Sequence, residues 1–410
     1  MDLTLIVVLV IALALFFDFT NGFHDTANAM ATPIATGAIS PKKAVALAAI
    51  LNLVGAFLST EVAKTISGGI INEDPTTGVA IGPAMIFAGL MGAVIWNLLT
   101  WLLGLPSSSS HALFGGLVGA AIVGAGFASV NYGVLISKVL LPAVCAPVIA
   151  GVSAYLCTKL AYAITKRQSG VSPKRGGFRY GQIFSSSLVA LSHGTNDAQK
   201  TMGIITLTLV ASGLQDSDSG VHLWVVAACA FAIALGTYTG GWRIIQTMGS
   251  GLTDVKPAQG FAAEVSTASA ILASSHLGFA LSTTQVASGS VIGSGLGRKG
   301  GEVRWGTAGR IALGWLFTLP AAAVVGGIAA WITHLGTVGV VIVAILGLAA
   351  MLVIWFVSRK QPHGAETTMS DIDNSGAAVN ILTKKQRRAK AKADAQQAKL
   401  AAAQKEADNS

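Results

Sequence analysis

The segment Gly22-Phe-His-Asp-Thr-Ala-Asn28-Ala-Met30 returns 172 residues later (22 to 194) as Gly194-Thr-Asn-Asp-Ala-Gln-Lys200-Thr-Met202. A second pair lies 174 residues apart (108 to 282): Ser108-Ser-Ser-His111 with Gly115 and Gly119, and Ser282-Thr-Thr-Gln285 with Gly289 and Gly293. Two pairs at nearly one spacing mean that the chain is duplicated as a whole. Both copies sit in apolar surroundings. Ionisable groups are costly in lipid and persist there for function or for pairing. A duplicated apolar chain with matching polar breaks implies a secondary transporter, with its site where the halves meet.

Composition agrees with a chain built for a bilayer. It is 52% hydrophobic and only 11% charged. Apolar runs include Leu3–Phe17, Ala44–Leu58, Pro83–Leu103, Val134–Cys157, Leu223–Leu235, Ile311–Trp331 and Val338–Val357. Runs of about 20 residues are what a spanning helix needs. The first run lacks a basic start and leads into Asp18 and the first motif, so it reads as mature protein and not as a cleaved signal. The expected class is therefore an all-α polytopic membrane protein. It consists of two inverted repeats with broken helices or re-entrant hairpins and about 10–12 membrane segments, because irregular backbone at membrane depth must be buried or line a watery cavity. The breaks are expected both after Asp25 and Asp197 and around Ser108 and Ser282. Gly115/Gly119 and Gly289/Gly293 read as close helix contacts.

Four parts follow: a first repeat over 1–165, a basic linker over 166–181, a second repeat over 182–358, and a basic tail over 359–410. Five basic residues lie in Lys166–Arg179 and seven in Lys384–Lys399, so linker and tail are expected on the cytoplasmic side of a cytoplasmic (inner) membrane. Glu73/Asp74 and Asp216/Asp218 mark acidic loops on the other side. The tail's charge suits anionic headgroups of the lipid bilayer, and no nucleic acid partner is expected. Cys145, Cys157 and Cys229 lack metal or disulfide spacing and read as small hydrophobes, with no cofactor and no resident metal. Deleting 365–410 is expected to leave transport intact, because the segment lies outside both repeats; uptake by truncated protein at matched membrane levels checks this.

Hydroxyls and helix N-termini donate to oxyanions. Ser108, Ser109, Ser110, Ser282, Thr283 and Thr284 form such a cradle from both sides. Carboxylate and amide oxygens suit a coupling cation, Na⁺ or H⁺, which assigns Asp25, Asn28, Asn196 and Asp197 to it. Lys200 stands where the first copy has Asn28, and either pairs with Asp197 or touches the anion. Glu264, His111 and Gln285 are accessory candidates, and Asp18 joins Glu264 as a relay or structural acid. His193 and His276 have no counterpart in the first repeat and read as satisfied buried groups. A membrane hydrolase built on a Ser and His111 is disfavoured, since the second copy has Gln285 there and no base–orienter pair is visible, so the chain is not read as an enzyme. A passive channel would show no accumulation against a gradient.

The motifs GFHDTAN (Gly22–Asn28) and GTNDAQK (Gly194–Lys200), with PSSSSH (Pro106–His111) and LSTTQ (Leu281–Gln285), resemble the inorganic phosphate transporter (PiT) family, in particular its bacterial low-affinity branch. The resemblance covers about residues 1–358. It implies phosphate uptake by cation symport, inverted repeats and a homodimer, with the Asp/Asn motifs on the cation and the hairpin hydroxyls on phosphate. His24, Lys200 and Gln285 depart from the family pattern and favour proton over sodium coupling, with phosphate carried as such or as a neutral metal–phosphate complex. Sulfate or another oxyanion on the same fold is the alternative cargo.

Overall fold

The computed structural model describes residues 3–69, 82–167 and 177–360. The acidic pair Glu73/Asp74, most of the basic linker and nearly all of the tail lie outside the described residues. Each half repeats one order of helices. The first half has α1 (Leu3–Ala35), α2 (Pro41–Gly55), α3 (Glu61–Gly69), α4 (Pro83–Leu102), α5 (Ser109–Ala125), the short α6 (Tyr132–Val134) and α7 (Leu141–Arg167). The second has α8 (Gly177–Ala211), α9 (Leu223–Thr239), α10 (Trp242–Gln246), α11 (Pro257–His276), α12 (Thr283–Gly297) and α13 (Trp305–Thr333), and α14 (Thr337–Arg359) follows.

Among the described residues, five helical stretches are long and apolar enough to cross a membrane: α1, α4, Tyr132–Ile164, α13 and α14. A sixth forms if α9 and the Trp242–Gly251 segment, bent by 63°, count as one broken span. Helix α8 has 35 residues but turns its polar side chains into the protein.

The breaks expected at the Ser/Thr clusters are present. α4 and α5 form one helical hairpin, and α11 and α12 the other. Each first arm stops at a glycine in the left-handed region, Gly104 (φ 64) and Gly278 (φ 68). These are equivalent positions, 174 apart (104 to 278). In both turns the residue after the glycine donates back into the last turn: Leu105 N to Thr100 O at 2.9 Å and Phe279 N to Ser274 O at 3.0 Å. Only glycine adopts such a cap without strain. The breaks expected after Asp25 and Asp197 do not occur, since α1 and α8 run unbroken through both motifs. The motif glycines admit a neighbour instead of bending the chain. A Cβ on Gly22 would lie 2.2 Å from Ile233 O, and one on Gly194 would lie 2.2 Å from Asn52 O.

Equivalent helices α1 and α8 run antiparallel along one seam. Asp18 meets Thr201, Asp25 lies beside His193, and Thr36 meets Gln182. Rising numbers on one helix thus meet falling numbers on the other, the relation expected of inverted repeats. The halves also exchange partners. α5 packs against α13, α12 against α7, α1 against α9 and α2 against α8. The paired glycines make these crossings close: a Cβ on Gly119 would lie 2.0 Å from Ala323 O, and one on Gly293 1.9 Å from Gly151 O.

Candidate functional site

The hairpin tips bring two helix N-termini to the middle of the α1–α8 seam. Ser108 and Ser282 cap these helices: Ser108 Oγ accepts from His111 N at 3.1 Å and Ser282 Oγ from Gln285 N at 3.3 Å. The other N–H groups of a first helical turn have no partner within the helix, and they carry its positive end. His111 and Gln285, equivalent in sequence, face each other across the seam at 3.4 Å. All of these residues are buried.

The two aspartates meet beneath the tips. Ser109 Oγ donates to Asp25 Oδ2 at 3.1 Å, and Thr284 Oγ1 to Asp25 Oδ1 at 3.1 Å. Thr283 Oγ1 lies 3.2 Å from Asp25 Oδ2 and 3.0 Å from Asp197 Oδ2, so one hydroxyl touches both carboxylates. Asn28 Nδ2 donates to Thr284 Oγ1 at 3.1 Å and approaches Thr283 Oγ1 at 3.3 Å. Lys200 Nζ donates to Asp197 Oδ1, to Ser110 Oγ at 2.6 Å and to Leu281 O at 2.9 Å. The ammonium therefore pairs with Asp197, the first of the two roles open to it from sequence.

His193 is buried and partnered, as the sequence implies, and its partners put it inside the cluster, whereas His276 is exposed. His193 Nε2 lies 2.9 Å from Asp197 Oδ2 and 3.7 Å from Asp25 Oδ2, and its Nδ1 lies 3.2 Å from Asn52 Oδ1. One ligand atom from each of Asp25, His193 and Asp197 lies within 4.8 Å of the others, close enough for a shared cation. The signal was the spacing His193-x-x-x-Asp197, which puts both on one helical face. The equivalent position in the first repeat, 172 residues earlier, is Asn21, so repeat symmetry does not point to His193. His24 completes the enclosure, with Nδ1 2.7 Å from Asp25 Oδ1.

Three candidates stand apart from this cluster. Asn196 Nδ2 donates to Ser275 Oγ at 2.9 Å, at the end of the second hairpin's first arm, and not to a carboxylate. Its neighbour along the chain points at the tips because successive helical residues are about 100° apart. Glu264 accepts from Thr32 Oγ1 at 2.6 Å, Ser185 Oγ at 2.5 Å and Gln182 Nε2 at 3.1 Å. Thr32 is seven residues along α1 from Asp25, about 10 Å at 1.5 Å per residue. Asp18, seven residues the other way, accepts from Thr201 Oγ1 at 2.8 Å. A cavity of about 760 Å³ lies to one side, between α7, α12 and α13. It is lined by apolar groups such as Pro147 and Leu319, and His111 and Gln285 form its polar end.

A family model described as the phosphate transporter family matches residues 21–175 and again 166–326, once for each repeat. A Mycobacterium leprae protein described as a probable low-affinity inorganic phosphate transporter is 56% identical over 358 residues, 87% of this chain and 85% of the relative. The Mycobacterium tuberculosis (strain ATCC 25618 / H37Rv) protein of the same description is 54% identical over 370 residues, 88% of this chain and 86% of the relative. One from Bacillus subtilis (strain 168) is 43% identical over 336 residues, 82% of this chain and 99% of the relative. A solved structure described as the sodium-dependent phosphate transporter superposes with a TM-score of 0.71 at 24% identity, covering 81% of this chain and 99% of that one. That likeness speaks for the fold. Matched twice by the family model and closely related along most of its length to several members, this membrane protein belongs to the phosphate transporter family.

Proposed function

We propose that the protein imports inorganic phosphate across the cytoplasmic membrane by cation symport, with a proton as the coupling ion in preference to sodium. The observation that carries this reading is the convergence of two helix N-termini on two buried carboxylates. The tips offer donors to a tetrahedral oxyanion. The carboxylates repel that anion unless a cation enters with it. With the histidines neutral, Asp25 and Asp197 outnumber the single ammonium of Lys200 by one charge. An uncompensated buried charge costs several kcal/mol, roughly. His193, between the carboxylates, is placed to hold the proton that balances it. On this reading the antiparallel α1 and α8 give the seam two equivalent ends, and alternating access would come from one repeat rocking against the other.

Uptake of labelled phosphate into proteoliposomes tests this. An inward proton gradient is expected to drive uptake in sodium-free buffer, and a protonophore to collapse it. Uptake only with a sodium gradient, whatever the pH difference, would overturn the proton assignment. Excess sulfate that competes as well as phosphate would make the cargo a broader oxyanion class. The Asp25–His193–Asp197 cluster also has donors for a divalent ion carried with phosphate, in which case chelation outside the vesicles should stop uptake.

Ser109→Ala with Thr283→Ala is expected to weaken apparent phosphate affinity. Each removes a donor that a charged acceptor would use, about 1.5–3 kcal/mol, or about ten- to hundredfold. An unchanged half-saturating phosphate concentration in the double variant would show that these hydroxyls serve only the carboxylates.

A further inference from the structure

The duplication pairs Lys200 with Asn28, and the polar surroundings of the two differ. Around Lys200 Nζ three oxygens form a cage: Asp197 Oδ1 and Leu281 O from the second half and Ser110 Oγ from the first. An ammonium has three N–H donors and no acceptor. All three protein oxygens fit those donors, so no donor is left for phosphate. Carboxylate, hydroxyl and backbone carbonyl oxygens are also the ligands a small hard cation prefers. The lysine head therefore lies where a free ion would lie.

The equivalent residues are Asp25 and Ser107 of the first half and Thr284 of the second, with Asn28 in place of the lysine. Thr284 Oγ1 is 3.1 Å from Asp25 Oδ1, and Asn28 Nδ2 is 3.1 Å from Thr284 Oγ1. Asn28 Oδ1 has no hydrogen-bond partner, though the residue is 93% buried. A buried amide oxygen without a donor is costly unless something fills the gap. Asn28 thus turns Nδ2 to the tip hydroxyls and carries an unpartnered amide oxygen, at the position where the other half carries a covalently held positive charge.

We infer that Lys200 is a permanent, tethered occupant of one of two symmetry-related cation cages, so that each phosphate travels with one exchangeable cation, held on the Asp25 side. The inference rests on the symport reading above and adds the number of ions. Lysine is a suitable tether, since its ammonium is a compact point charge on a flexible stem. Because that charge never leaves, it neutralises Asp197 in every state of the cycle.

Activation of uptake by the coupling cation, with the purified full-length protein in proteoliposomes, gives the first test. The wild type is expected to show a Hill coefficient of about one, and a value near two would overturn the inference. Lys200→Asn restores an oxygen ligand and opens the second cage. The charge carried per phosphate, read from the reversal potential at fixed pH, is expected to exceed that of the wild type by one positive charge. Equal charge in both proteins would overturn the tether. If the variant is inactive, its melting temperature in detergent is expected to rise more with sodium chloride over choline chloride than that of the wild type. An equal response in the two proteins would count against the opened cage. Should the variant not fold, the wild-type Hill coefficient decides alone. Absence of any gradient-driven uptake by the wild type would sink the symport reading itself. Gradient-driven uptake with a Hill coefficient near two would sink only the role of Lys200.

Discussion

Asp25→Asn and Asp197→Asn are each expected to abolish phosphate accumulation, but with different effects on the protein itself. Asp25 receives hydroxyl donors from both hairpin tips and lies against His24 and His193. Its amide isostere keeps the shape and removes the charge that the coupling ion balances, so transport should fail while the protein still inserts and folds. Asp197 has the additional task of neutralising Lys200, and both are buried. Removing one member of a buried ion pair costs about 3–5 kcal/mol, because the other is left uncompensated. Asp197→Asn should therefore lower the melting temperature as well. Combining it with Lys200→Met removes both charges and should recover stability without recovering transport. Wild-type accumulation by either correctly inserted single variant would remove that aspartate from the coupling site.

Gly119→Val and Gly293→Val are expected to give no folded protein. At each position even a Cβ would lie 2.0 Å or less from the carbonyl oxygen of a helix of the other repeat: Ala323 O for Gly119 and Gly151 O for Gly293. Neither neighbour is the end of a flexible side chain, so the helices must separate to admit the substitution. In lipid, helices lack a hydrophobic drive to associate, so close packing is a main part of what holds them together. The check is monodispersity in detergent after expression, with Gly126→Ala compared as a control for the hairpin's far end. There a Cβ meets nothing, although the positive φ of 86° adds local strain. A monodisperse, heat-stable Gly293→Val protein would contradict the exchanged packing of α12 on α7.

The duplication, the two hairpin tips and the aspartate pair were legible in the sequence because they recur at nearly constant spacing. Regularity of that kind also misled. The segments after Asp25 and Asp197 look too polar for a continuous span, yet α1 and α8 run through them, and the motif glycines Gly22 and Gly194 admit the carbonyls of Ile233 and Asn52. The residues that do break the chain, Gly104 and Gly278, are also a matched pair and were open to the same comparison. Repeat symmetry gives His193 only a buried, satisfied place and no role in the site, because the equivalent position is Asn21. Asn196 suits a cation by its amide oxygen, but its Nδ2 bonds Ser275 and not the carboxylate next to it, because adjacent positions on a helix point in different directions. Exchange of partners between halves could not be read at all: a small-residue pair marks a close crossing without saying which helix fills it.

The steady-state ratio of labelled phosphate inside and outside proteoliposomes, under an inward proton gradient without sodium, tests the central claim most directly. A coupled carrier built on Asp25 and Asp197 should raise that ratio well above one, and Asp25→Asn should hold it at or below one. A wild-type ratio that settles at one, with phosphate crossing freely in both directions, would contradict coupling and make the molecule a passive path.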